Sequence, residues 1–145
     1  MTQDHIGDLE TLYRRVPNVN SHFGFPEGKL RFSSSAFNDA GFKPSVDRAA
    51  LRKSPHESKK NLDDGIVELA TNTIRAIKSV ESESISHYID VHYRPVVEVP
   101  TNIAHSQIEP APEIVGKNIF KKLKDALARL ADEAGWLIEP NSTDL

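Results

Sequence analysis

The longest regular alternation of apolar and polar positions runs from Lys117 to Ala134. Ile119, Leu123, Leu127, Leu130 and Ala134 recur three or four residues apart, and Phe120 and Ala126 widen the stripe. That spacing predicts an amphipathic helix with its apolar side on a core. Gly135 supplies the stop, and Trp136-Leu137-Ile138 is expected to pack back against the core. A second pattern has period two. His87, Ile89, Val91 and Tyr93 fall on one face, and Tyr88, Asp90, His92 and Arg94 on the other. This predicts a half-buried strand that Pro95 either ends or marks as an edge strand.

The remaining elements rest on shorter patterns. Leu12 to Val16 alternates and suits a short strand, a helical turn being the alternative over so few residues. Lys29 to Phe37 is a second strand candidate, interrupted by three serines. Val96 to Val99 and Ala104 to Ile108 suggest two more. Ser45 suits an N-cap for a short helix over 46–51, with Asp47 in its first turn. Ile66, Leu69, Ala70, Ile74 and Ile77 follow helical spacing, so residues 65–77 are expected to be helical, with a strand as the alternative. Residues 17–28 and 53–64 read as loops. Residues 1–9 and 141–145 are polar ends expected to be flexible. The sum is one α+β domain over residues 1–145: a small, mostly antiparallel sheet packed against a long C-terminal helix and one or two shorter helices.

Composition narrows the function classes. The 145 residues are 38% hydrophobic and 27% charged, with a net charge of −3 and no cysteine. Disulfides, thiolate metal sites and cysteine nucleophiles are excluded. The charge is not the basic footprint of a general nucleic-acid binder. No apolar run is long enough for a membrane helix, and the polar start carries no signal-peptide pattern. A cytoplasmic protein with no membrane association is expected. No zinc-binding helix motif and no glycine-rich phosphate loop is present, so neither a metal nor a cofactor is expected.

Candidate chemistry sits in short polar motifs attached to the strand signals. Arg14 shares a face with Leu12 and Val16, so its charge should be buried and need a partner. Asp47 is the nearest carboxylate among the motifs, and an Arg14–Asp47 pair is expected. Ser33, Ser34 and Ser35 offer hydroxyls for a ligand or a nucleophile, although no nucleophile elbow surrounds them. They serve equally to satisfy a strand-to-turn transition. His105, three residues after Asn102, suits a general acid or base, or a loop hydrogen bond. The basic side of the last helix is offset by Asp125, Asp132 and Glu133 and needs no ligand.

Together the motifs resemble a family of small uncharacterised bacterial proteins. The matching stretches are Leu12 to Pro17, Ser34 to Phe37, Ser45 to Asp47, Asn102 to His105, and Gly116-Lys117 through Trp136 to Pro140. The chain departs from the family pattern at Ile103, where proline is usual, and at Ser106, where a small apolar residue is usual. The resemblance implies a bacterial origin and the site residues, but no activity. Two functions stay open. One is an interaction protein that binds a partner protein through Arg14, Ser33, Ser35, Asp47 and Asn102, without catalysis. The other is an enzyme or binder for a phosphate-bearing ligand, a nucleotide or RNA, with Arg14, Ser34 and His105 in the site and His105 and Ser34 as its catalytic groups.

Overall fold

The computed structural model describes residues 4–140. Its centre is a seven-stranded antiparallel sheet. The strands are β1 (Thr11–Val16), β4 (Ser45–Arg48), β5 (Gly65–Ala70), β6 (Ser79–Glu81), β7 (Ser86–Tyr93), β8 (His105–Ala111) and β9 (Trp136–Ile138). They lie in the order β6-β7-β8-β4-β1-β5-β9. A separate small ribbon pairs β2 (Phe23–Gly24) with β3 (Arg31–Phe32). The helices are α1 (Thr71–Arg75) and α2 (Lys117–Ala134). The α+β expectation therefore holds, with the mostly antiparallel sheet and the long C-terminal helix in place.

Helix α2 spans the predicted residues and ends at Gly135, whose φ of 72° is the left-handed conformation a glycine adopts freely. Its buried side is rotated slightly from the predicted stripe. Phe120, Leu123, Leu127, Ala128 and Ala131 are buried, whereas Ala134 is exposed. The small alanines let the helix approach the turn at Ser34–Phe37 and strand β3. Trp136 folds back as expected, edge-on to Phe23 and Phe32 with ring centroids 5.1 and 4.7 Å away.

Three expectations are corrected. Residues 65–77 are not one helix. Gly65 to Ala70 is strand β5, and only Thr71 to Arg75 is helical. Ile66 and Val67 are both fully buried because the start of β5 is covered on both faces, whereas Glu68 and Ala70 are exposed. Gly65 also has to be glycine, since a Cβ there would meet the Trp136 ring at 2.5 Å. Ser45 caps no helix: it opens β4, which runs between β1 and β8, with a single 3-10 turn following at Ala49–Leu51. Val96 to Val99 forms no strand. It belongs to a hairpin closed by the isolated Val96–Asn102 bridge.

Other elements follow the patterns closely. β7 shows the predicted alternation, with His87, Ile89 and Val91 buried and Tyr88 and His92 exposed. It lies inside the sheet, so Pro95 ends the strand rather than marking an edge. The second strand candidate shrinks to Arg31–Phe32, followed by a 3-10 turn over Ser34–Phe37 that buries Ala36 and Phe37. The N-terminal segment is tied down. Ile6 is in the core, and the backbone N–H groups of Thr71 and Asn72 donate to the carbonyls of Glu10 and Asp8. Of the ends expected to be flexible, 1–9 and 141–145, residues 1–3 and 141–145 lie outside the described residues.

Candidate functional site

Strand register divides the polar residues between the two faces. Leu12, Arg14 and Val16 of β1 lie with Val67 and Leu69 of β5 and Val46 and Arg48 of β4 on the face that carries the core. Tyr13, Asp47 and His105 line up across β1, β4 and β8 on the opposite face. There the segment 49–64 covers the β1–β5 half: Ser58 reaches Asp47, and Arg15 reaches Asp64. The β4–β8–β7 half is open.

Arg14 is 6% exposed and has found the partner its burial demands, but the partner is Asp39 and not Asp47. Nη1 and Nη2 donate to the two Asp39 carboxylate oxygens at 2.8 and 2.9 Å. The same guanidinium donates to the carbonyls of Ala36, at 2.6 and 3.2 Å, and Ser45, at 2.8 Å, and lies 5.0 Å from the Phe37 ring centroid. Burial opposes ionisation of Asp39. The Arg14 contact and the Ser45 amide outweigh it, so its carboxyl is held below the usual carboxylate range. Arg48, on the same face, is held in a similar fork by Glu10 and lies 4.8 Å from the Tyr93 ring centroid. These groups tie the turn after β3 and the N-terminal segment to the sheet. Arg14 is saturated by internal acceptors, so it has little left to offer a phosphate.

Asp47 is the hub of the other face. One carboxylate oxygen accepts from Ser58 Oγ at 2.6 Å and from Arg52 Nη2 at 3.0 Å, and the other accepts from Asn102 Nδ2 at 2.9 Å. Arg52 Nη2 also donates to Asn102 Oδ1 at 2.8 Å, and that oxygen accepts the Ala104 amide at 3.0 Å. His105 sits on the neighbouring strand. Its Nδ1 lies 2.8 Å from the Arg94 carbonyl and its Nε2 lies 3.1 Å from Ser45 Oγ. A carbonyl only accepts, so Nδ1 carries the proton of the neutral ring and Nε2 faces the serine with its lone pair.

The structure thus joins Asp47 with Asn102 and sets His105 beside them. It leaves Arg14 on the other face, and none of Arg14, Ser34, Asp47 and His105 bonds another. Ser33 Oγ donates to the Ser21 carbonyl and closes the loop before β3. Ser34 and Ser35 form the turn against α2, away from His105. Asp39, Arg52 and Ser58 complete these clusters without standing out in the sequence, since none lies in a periodic stretch or a motif. Ser45 stands out there only as a helix cap and as the start of the Ser45–Asp47 motif.

Asp47, Asn102 and His105 converge on one part of the structure, the neck of the hairpin between β7 and β8, which all three brace. The Arg94 amide donates to the His105 carbonyl at 3.0 Å, and Val96 and Asn102 exchange backbone bonds of 2.9 and 2.8 Å. Tyr93 Oη donates to the Ile103 carbonyl at 2.7 Å. Beyond this neck Val97 and Val99 are 76% and 93% exposed, and within it Ile103 is 57% exposed. One surface depression lies at the foot of the neck, beside His92–Pro95, and another lies between Pro26–Arg31 and Glu133; neither is lined by Arg14, Asp47 or His105. Among the described residues no group of three or more histidine and carboxylate side chains is placed to hold a metal, and no helix is long and apolar enough to cross a membrane. No family model matches the chain, and no similar curated protein or solved structure was found.

Proposed function

We propose that this chain is a small bacterial, cytoplasmic interaction protein that docks a partner protein through the β7–β8 hairpin, without catalysis at that surface. The observation that carries this reading is a braced apolar tip. Val97 and Val99 stand in solvent beyond a neck held by side-chain and backbone hydrogen bonds, and Ile103 is exposed on that neck. An exposed apolar cluster is a usual mark of a docking surface. A rigid neck lowers the ordering cost of binding. Asp47 and Asn102 then act as positioning residues that hold the tip out, and Arg14 and the three serines maintain the fold beneath.

The test compares the wild-type chain with Val97→Ser/Val99→Ser as bait in a bacterial lysate, with an equal melting temperature as the check on folding. A partner retained by the wild type and lost by the double variant supports the reading. A partner held equally by both places the interface elsewhere on the molecule.

A further inference from the structure

The polar groups that brace the hairpin leave one pair with reactive geometry on the open half of the sheet. Ser45 opens β4 and His105 opens β8, and their side chains meet at 3.1 Å between Oγ and Nε2. The Arg94 carbonyl fixes the far side of the ring at 2.8 Å, in the place where a carboxylate orients the histidine of a catalytic triad. Both residues are half-buried.

We propose that Ser45 is a nucleophile activated by His105 and directed at carboxylic esters. Ser45 Oγ forms a bond to the acyl carbon while its proton passes to His105 Nε2. The alcohol leaves with that proton, and water, deprotonated by the same nitrogen, releases the acid and restores Ser45. The competing arrangement is donation of the hydroxyl to Asp39, which already accepts the Ser45 amide at 2.6 Å. In that arrangement His105 does not activate the serine.

A fluorophosphonate probe separates the two arrangements, because its phosphorus is attacked by the same oxygen with loss of fluoride. The wild-type chain, Ser45→Ala, and His105→Gln are each incubated with the probe and read by intact mass and peptide mapping. Thermal melts of all three confirm that they fold. A single adduct on Ser45, absent in Ser45→Ala and formed at least tenfold more slowly in His105→Gln, is the expected result. No adduct in the wild type, an adduct that persists in Ser45→Ala, or equal rates with and without His105 would each overturn the assignment. The outcome is independent of whether the hairpin tip binds a partner.

Discussion

The two faces of the sheet handle buried charge differently. On the covered face Arg14 and Arg48 each sit under the core and each meet one carboxylate in a two-pronged contact. On the other face Asp47 is shared among Ser58 and Arg52 of the 49–64 segment and Asn102 of the hairpin neck. A closed pair answers a desolvation penalty: it lets the chain bury an arginine without leaving it unpaired. A shared hub ties loops together and determines where they point. Damage to the first should therefore appear mainly as lost stability, and damage to the second mainly as a displaced hairpin.

The largest expected effect comes from the covered face. Leu123 is fully buried in α2, and Leu123→Asp places an unpaired charge in the core. A loss above about 4 kcal/mol is expected, enough to unfold a domain of ordinary stability. A thermal melt close to wild type would break the assignment of that helix face.

Asp39→Asn comes next. It leaves the Arg14 guanidinium with no charged partner, and a loss of roughly 2–4 kcal/mol is expected in urea titration, reduced from the fully buried case because the Asp39 side chain is 26% exposed. The pH dependence follows from the sign of the shift. The folded carboxyl of Asp39 is held below its unfolded value, so its contribution is present above the unfolded pKa, about 3.9, and is lost as pH falls through the folded value. Glu10 behaves alike: burial opposes its ionisation, but Arg48 and the Gly7 amide outweigh it. Wild-type stability should therefore fall below about pH 4, and more steeply than that of Asp39→Asn. Parallel curves for the two proteins would remove Asp39 from the acid response.

The same contrast explains how much was legible in the sequence. α2 and β7 could be read directly, since each has one dry and one wet side and so carries a clean period. β5 could not, because it is dry on both sides at its start and its apolar residues run on into α1 with helical spacing. The burial of Arg14 followed from its neighbours Leu12 and Val16, and so did its need for a carboxylate. The identity of that carboxylate did not follow, because Asp39 reaches it from a turn 25 residues away in the chain. Asp47 and Asn102 were legible as polar residues next to strand signals. Their shared role at a hairpin neck was not, since it depends on β8 lying beside β4, and pairing between distant strands leaves no local pattern.

Asp47→Asn should have a smaller effect on stability, about 1–2 kcal/mol. The new amide N–H group would point at either the donating Nδ2 of Asn102 or the donors of Ser58 and Arg52, so at least one bond is lost. The sharper readout is local. Amide exchange at Val96, Asn102 and His105 should accelerate more than exchange within β1 or β5, because the neck loosens before the sheet does. Uniform acceleration across the sheet would instead make Asp47 part of the general framework, and would erase the distinction between the two faces.

The smallest expected effect on stability is also the most informative for function. Val97 and Val99 lie beyond the neck and touch no core residue, so Val97→Ser/Val99→Ser should shift stability by no more than about 0.5 kcal/mol. Residues with so little part in folding have no structural reason to be apolar in solvent, and the two valines flank a single charge, Glu98. If that tip exists to dock, the double variant keeps its melting temperature and loses its partner. A drop in melting temperature comparable to that of Asp47→Asn would mean that the valines stabilise the hairpin itself, and the tip would then belong with the hub as structure rather than stand apart as an interface.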